Sequence, residues 1–418
     1  MLLKTVLNRL QKFKSFVYDK AQLVENPKGL SIEVHIRARK GAAPECNWCG
    51  KAGNHYDTLR ERRYRFVPLW GLPVYFVYHP RRVSCANCHA VVVERVPWAV
   101  GKERHTTMLQ QFLSHWARKL SWREVAQEFG VGWNVVYRAI SWVVAWGLAH
   151  RDLGGVTAIG VDELLSWRGH RYVTVVYQID AHCRRLLWIG RDRTAESFSK
   201  FFDLMGECFC RKIRHVCSDM WRGYLEVVRA RVPQAVHVLD RFHIVANLNK
   251  ALDEVRAGEA RRLKLKGDDE TLKRTRWCLL KKPKNLTRKQ RGRLRELLAL
   301  NLRTVRAYLL ARDFQHLWTY NSPTWAGKFM DMWCNTAMHS RIEPIKKMAR
   351  QFRKHRDLIL NYFRAKKAFS SGVVEALNNN AKLTMRKAYG FRSFAALEIA
   401  LFHQLGELPE PPITHRFW

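Results

Sequence analysis

The sequence lacks the long apolar segments that membrane proteins need. No apolar run reaches the roughly 18 residues of a membrane-spanning helix. The first residues, MLLKTVLNRLQKFKSF, also lack the continuous apolar core of a signal peptide. We therefore expect a cytoplasmic protein without a membrane partner.

Acidic residues are scarce as well. The 418 residues include 36 Asp and Glu against 74 Lys and Arg, which gives a formal net charge of +38. A surplus of this size favours a polyanionic partner, above all nucleic acid. Arginine accompanies many Trp and Tyr residues, as phosphate binding and base stacking would require. With 47% hydrophobic residues, the chain is not expected to be disordered.

Ten cysteines without an export signal argue against a disulfide framework. Four of them form two C-x-x-C pairs, Cys46 with Cys49 and Cys85 with Cys88. Two such pairs can hold one structural Zn²⁺ in a closed tetrahedral site. The intervening residues predict a β-hairpin that turns at Gly71. We expect a zinc ribbon-like module over residues 1–100, with two unrelated C-x-x-C pairs as the alternative.

Residues 101–150 predict a helix-turn-helix. In SWREVAQEFGVGWNVVYRAISWVV, a capping box of Ser121 and Glu124 starts one helix, and Gly130 ends it. A second helix then begins near Trp133, at a spacing typical of DNA-binding motifs. An ordinary helical hairpin is the alternative. The residues expected near DNA are Trp133, Asn134, Tyr137 and Arg138.

Residues 151–257 show three strand patterns followed by alternating helices and strands. This is the element order of an RNase H-like α/β domain, in which the first and fourth strands lie side by side. Asp162 lies within the first strand and Asp219 ends the fourth, so both carboxylates should meet at one place on the sheet. Glu163 should point to the opposite face of its strand.

A third acid, Glu375, lies near the start of a helix whose N-cap is Ser371 or Gly372. It is either a first-turn acid favoured by the helix dipole or a third metal ligand. Two divalent ions held by carboxylates can promote phosphodiester cleavage. Asn378, Asn379 and Lys382 share the helix face of Glu375 and are expected to contact DNA. Asp240 and His243, in DRFH, are either a cap with a packed histidine or a pair that supports the metal ligands.

Several of these motifs together resemble a known family. The paired CNWC and CANC, GVDE, SDMWRGY, VLDRFH and VVEALNNNAKLTMRKAYGFRSF are similar to those of bacterial insertion-sequence transposases of the ISL3 family. The resemblance covers nearly the whole chain. It implies a DDE triad of Asp162, Asp219 and Glu375 that binds two Mg²⁺ or Mn²⁺ ions. Asp240 and His243 match the D-x-x-H signature of several transposase groups.

The resemblance also implies an architecture and an activity. The RNase H-like catalytic domain would consist of residues 151–257 and 366–418, interrupted by an all-α insertion over residues 258–365. Such an enzyme binds terminal inverted repeats, cleaves the element ends and joins the 3′ hydroxyl to target DNA, as a homo-oligomer on paired ends in the bacterial nucleoid. A transcriptional regulator and a nuclease without strand transfer are the alternatives.

Overall fold

The computed structural model describes residues 3–27, 29–167, 171–367, 372–388 and 390–418. Ser371, one of the two predicted N-caps, lies outside these residues. By its internal contacts the chain divides into two compact units. The first comprises Met1–Arg151 with Thr384–Trp418, and the second comprises Asp152–Leu383.

The first unit begins with helix α1 (Leu3–Leu10) and two sheets. The four-stranded sheet has the order β1-β2-β5-β4, and the three-stranded sheet has the order β3-β6-β7. The strands are β1 (Phe16–Asn26), β2 (Gly29–Ala38), β3 (Asn54–Thr58), β4 (Arg62–Leu69), β5 (Leu72–Tyr78), β6 (Arg81–Cys85) and β7 (Ala90–Val93). The hairpin predicted at Gly71 is confirmed, since β4 and β5 pair antiparallel and Gly71 has a φ of 77°.

Three helices follow in this unit: α2 (Thr107–Lys119), α3 (Trp122–Glu128) and α4 (Trp133–His150). The predicted capping box is present at the start of α3, and Gly130 has a φ of 56°. Val125, Val136 and Ile140 are buried between the helices. The expected helix-turn-helix geometry is therefore confirmed.

The second unit contains a mixed five-stranded sheet in the order β10-β9-β8-β11-β12. Its strands are β8 (Ala158–Trp167), β9 (Arg171–Asp180), β10 (Cys183–Gly190), β11 (His215–Ser218) and β12 (Val236–Leu239). The first three are antiparallel, while β11 runs parallel to both β8 and β12. The expected side-by-side arrangement of the first and fourth strands is confirmed. One face of the sheet packs on α5 (Ala195–Met205) and α7 (Arg222–Arg231). A further short helix, α6 (Glu207–Lys212), lies between them in the chain and was not predicted from the sequence.

The chain continues from β12 directly into a long helix and a helical region. The helices are α8 (Arg241–Leu265), α9 (Arg276–Leu280), α10 (Arg288–Leu298), α11 (Arg303–Phe314), α12 (Pro323–His339), α13 (Glu343–Lys354), α14 (Arg356–Arg364) and α15 (Gly372–Lys387). The predicted boundary at 257/258 falls inside α8, whose apolar stripe of Ile244, Leu248 and Leu252 shares one core with the later helices. Residues 258–365 are helical as expected, but they continue the core beside β12.

The C-terminal residues also differ from the expected domain plan. Thr384–Trp418, assigned from the sequence to the catalytic domain, cluster with the first unit. The reason is the apolar helix α16 (Phe394–Leu405), which packs on α4, while its His403 bonds Ser114 on α2 at 2.8 Å. Among the described residues, no helix is long and apolar enough to cross a membrane.

Candidate active site and zinc centre

Three aspartates lie level with one another across the sheet of the second unit. Cys217 of β11 pairs with Gly160 of β8, and Ser218 pairs with Leu239 of β12. Two residues beyond the first pair, this register aligns Asp219 with Asp162. One residue beyond the second pair, it aligns Asp219 with Asp240. Because the strands are parallel, side chains at one level point to one face.

Asp162, Asp219, Asp240 and His243 line one small depression together with Val374 of α15. Asp240 caps α8, since its Oδ1 accepts a hydrogen bond from the Phe242 backbone N–H at 2.6 Å. Its Oδ2 lies 2.7 Å from His243 Nδ1, and this hydrogen bond raises the pKa of His243 to about 9. This hydrogen bond therefore favours the protonated form of His243.

Asp162 is held by two hydrogen bonds from the protein. Its Oδ2 accepts from Asn378 Nδ2 at 2.7 Å, and its Oδ1 accepts from the Glu163 backbone N–H at 2.8 Å. Burial raises the pKa of Asp162, and the charges of Asp240 and Asp219 raise it further. A cation beside this carboxylate would offset that cost.

Asn378 differs from the sequence-based expectation. Its side chain is 4% exposed, its Nδ2 donates to Asp162, and its Oδ1 accepts a hydrogen bond from the Tyr177 hydroxyl at 2.8 Å. A buried amide with these two partners supports Asp162, and this placement argues against the DNA contact expected from the sequence. Asn379 and Lys382 on the same helix are exposed.

Glu375 lies on α15 one turn before Asn378, but its side chain is exposed and it does not line the depression. Within the part of the chain that the structure describes, no three carboxylate or histidine side chains place their ligand atoms all within 4.8 Å. The structure thus brings together Asp162, Asp219, Asp240 and His243 and leaves Glu375 outside this lining. Positions i and i+3 share a helix side, which places Glu375 on the side of Asn378.

Gly160 lets α15 approach β8 closely. A Cβ atom on Gly160 would fall well inside van der Waals contact with Val374 Cγ2. Because Gly160 and Asp162 lie on the same face of β8, this close approach brings Val374 and Asn378 to Asp162.

Sequence reasoning missed a second set of contacts around Asp219. Arg193 Nε lies 2.6 Å from Glu163 Oε1, and Arg193 Nη2 lies 3.6 Å from Asp219 Oδ2. The Tyr224 hydroxyl also donates to Glu163 Oε1, at 2.8 Å. Burial raises the pKa of Glu163 to about 7, and the charge of Asp219 adds to the effect. The available signal was Glu163 itself, because an acid on a buried strand face needs a partner.

The four paired cysteines of the first unit form one cluster. All four sulfur atoms lie within 4.8 Å of one another, with Sγ–Sγ distances of 3.9 Å between Cys46 and Cys88 and 3.6 Å between Cys49 and Cys85. A tetrahedral zinc ion with Zn–S bonds of about 2.3 Å separates its sulfurs by about 3.8 Å. A hydrogen bond from the Lys51 backbone lowers the pKa of the Cys49 thiol to about 7, which favours the thiolate. The cluster therefore fits zinc.

The predicted DNA-contacting residues at the start of α4 have different surroundings. Trp133 is 46% exposed, and Asn134 is exposed beside it. Tyr137 stacks on Trp133 with ring centroids 5.5 Å apart and is half-buried. Arg138 is exposed but lies 3.1 Å from Glu103 Oε1. Trp133 and Asn134 are the more accessible of the four.

Comparison with known proteins identifies the class as transposases, enzymes that cut and join DNA. A DDE family profile described as "Transposase" matches residues 159–401. A second profile, the helix-turn-helix domain of transposase family ISL3, matches residues 94–142. The chain belongs to the ISL3 family of insertion-sequence transposases.

Two curated relatives match over most of their length. The transposase for insertion sequence element IS1001 of Bordetella parapertussis is 29% identical, over 94% of this chain and 96% of that protein. The transposase for insertion sequence element IS1557 of Mycobacterium tuberculosis is 27% identical, over 93% of this chain and 91% of that protein.

Proposed function

We propose that this transposase cleaves the DNA strand at each end of its insertion sequence and joins the freed 3′ hydroxyl to target DNA. Asp162, Asp219 and Glu375 act as its DDE triad on an RNase H-like domain. The observation that carries the proposal is the alignment of Asp162 with Asp219 on adjacent parallel strands. The strand order, with the first strand between the second and the fourth, is that of the RNase H-like fold.

The donor set fits divalent metal ions of the magnesium type. Asp162 and Asp219 offer hard, anionic oxygens from one sheet face, and Glu375 would add a third from α15. Two such ions, when bound, supply a Lewis acid for the scissile phosphate and lower the pKa of the attacking hydroxyl. Mg²⁺ or Mn²⁺ serves this chemistry.

The chain's own residues orient these ligands. Asn378 fixes the Oδ2 of Asp162, and Tyr177 fixes the Asn378 amide in turn. The Trp221 backbone N–H donates to Asp219 Oδ1 at 2.9 Å, while Arg193 lies on the side of Oδ2. Residues locked in this way keep a reactive geometry, which accelerates a phosphoryl transfer that depends mainly on positioning.

The Asp240–His243 pair supports the same depression. The hydrogen bond with Asp240 raises the pKa of His243, and a protonated His243 would favour a phosphodiester that enters the depression. Asp240 holds the imidazolium in place through Nδ1.

The first unit supplies DNA recognition in this proposal. Trp133, Asn134, Tyr137 and Arg138 of α4 would read the terminal inverted repeats in the major groove. Asn379 and Lys382, exposed on α15 after Glu375, would contact the DNA backbone. The zinc ion would stabilise the fold of the N-terminal module. A homo-oligomer would bring the two ends of the insertion sequence together in the bacterial nucleoid.

The test uses full-length protein, DNA that carries the element ends, and Mg²⁺ or Mn²⁺. Wild-type protein should nick the ends and join them to a target, whereas Asp162→Asn and Asp219→Asn should bind the ends without cutting. Glu226→Gln, which alters an exposed acid of α7, is the matched control and should cut normally. Binding without nicking by wild type would favour a regulator, and nicking without joined products would favour a nuclease.

A further inference from the structure

A cavity of about 490 Å³ lies within the second unit, between α8, the end of α9 and α11. Its volume falls in the range of about 300–1,000 Å³ that is usual for ligand pockets. It has no part in the chemistry at the aspartates. Its floor is built from Leu252, Leu279, Tyr308 and Ala311, all of them at most 6% exposed.

The side walls and the rim differ in character from this floor. Asn249 and Gln315 contribute two amides to the walls, and each amide can both donate and accept hydrogen bonds. Lys281, Lys282, Lys284 and Arg312 line the rim, and no residue of the described lining is acidic. The cavity therefore suits a partly apolar ligand that carries negative charge at one side.

The surrounding sequence strengthens this charge. Residues 271–295 contain eleven Lys and Arg and no Asp or Glu. Lys282 and Lys284 are exposed, and the described structure gives them no acidic partner. Cations without a carboxylate nearby are available to phosphate groups, which DNA presents at regular spacing.

The cavity lies close to the proposed active site along one helix. Asp240 caps α8. Val245, Asn249 and Leu252 lie at i, i+4 and i+7 and therefore share one face of this helix. That face lies about 200° around the helix axis from His243. The two sites are thus on opposite sides of α8, and Asn249 also lies about 9 Å further along the helix axis than His243 at a rise of 1.5 Å per residue.

We propose that this cavity binds one unpaired nucleotide of the DNA substrate. The base lies over the apolar floor, the Asn249 and Gln315 amides meet its edge, and the flanking phosphates bind the lysines of the rim. Enzymes that act on DNA commonly hold an extruded or single-stranded base in such a pocket. The inference rests on the proposed function, because it takes DNA as the ligand.

The experiment compares two duplexes that differ in one base. One carries a single unpaired adenine, and the other carries an abasic site at the same position. Wild-type protein should bind the first about five- to hundredfold more tightly, the range expected for one base stacked on an aromatic ring. Equal affinities of the wild type for the two duplexes would overturn the inference.

Two kinds of variant locate the effect. Ala311→Phe fills the cavity, and Lys282→Glu with Lys284→Glu reverses two charges of the rim. Both should abolish the preference for the unpaired base. Thermal unfolding shows whether Ala311→Phe is folded, and the charge variant tests the same site from the surface.

The matched control is Lys289→Glu with Arg295→Glu, which reverses two exposed charges of the same basic stretch outside the cavity. It should weaken binding to both duplexes and keep the preference. If all variants keep the preference, the cavity is not the binding site. If the preference is absent while the element ends are still cleaved, the inference fails alone. Failure to bind or cleave any DNA would overturn the proposed function as well.

Discussion

Asp219 lies level with Asp162, two residues beyond the pairing of Cys217 with Gly160 on adjacent parallel strands. Two residues that are 57 positions apart in the chain thus present their carboxylates on one face of the sheet. The hydrogen bond between Asn378 and Asp162 joins α15, the helix of Glu375, to the same place. The proposed chemistry depends on this relationship.

Replacement of Asn378 by Ala should slow strand cleavage. Asp162 loses the donor to its Oδ2, and small displacements of a catalytic group lower rates by about 10- to 100-fold. The Tyr177 hydroxyl also loses its acceptor inside the protein, which should lower the free energy of unfolding by about 1–3 kcal/mol. Single-turnover cleavage and denaturant unfolding measure the two effects. Asn301→Ala, at an exposed position, is the control, and a normal rate in Asn378→Ala would show that Asp162 needs no such support.

Replacement of Gly160 by Ala should destabilise the second unit. The added methyl group overlaps Val374, and overpacking of this kind costs about 1–3 kcal/mol. Denaturant unfolding measures the loss. The double variant Gly160→Ala with Val374→Ala removes the overlap and should recover part of it. If the second change adds to the loss instead, the contact between β8 and α15 is not the cause.

Stability without divalent ions should decrease with rising pH because of Glu163. Burial raises its pKa from 4.5 to about 7 in the folded protein. The unfolded chain therefore ionises first, and the favourable contribution present below pH 4.5 is lost as the pH rises to about 7. The change amounts to about 3 kcal/mol at most. The free energies of unfolding of wild type and Glu163→Gln, measured against pH, should diverge in this window. The control Glu226→Gln should follow wild type. A pH dependence of Glu163→Gln that is parallel to that of wild type would contradict the raised pKa.

The zinc cluster predicts one zinc ion per chain. Cys49→Ser removes one thiolate, so metal analysis should find less zinc, and the melting temperature of the first unit should fall by several degrees because structural zinc contributes folding energy. Cys208→Ser changes an exposed cysteine outside the cluster and should leave both unchanged. Protein that purifies without zinc and melts as Cys49→Ser does would refute the zinc assignment.

Local patterns in the sequence predicted much of this structure. The C-x-x-C spacing predicted the four-cysteine cluster, the turn residues predicted the hairpin at Gly71, and the strand order predicted Asp162 beside Asp219. These inferences use short spacings or a known order of elements. They do not depend on side-chain contacts between distant segments.

The parts that were missed depend on such contacts. Arg193 reaches Glu163 and Asp219 from a loop after β10, and no periodicity marks it. Asn378 looked like a surface residue because its neighbours are polar, yet the close packing at Gly160 buries it. The boundary at 257/258 falls inside α8 and α16 clusters with the first unit for a related reason, since an apolar stripe shows that a helix packs but not on which partner.

The most direct test of the central claim is strand cleavage by Glu375→Cys in Mg²⁺ and in Mn²⁺. A thiolate is a poor ligand for Mg²⁺ and a better one for softer ions. If Glu375 completes the site of Asp162 and Asp219, the variant should bind the element ends, fail to cleave in Mg²⁺, and regain part of its activity in Mn²⁺. Cleavage at the wild-type rate in Mg²⁺ would show that Glu375 holds no metal ion and would contradict the proposed triad.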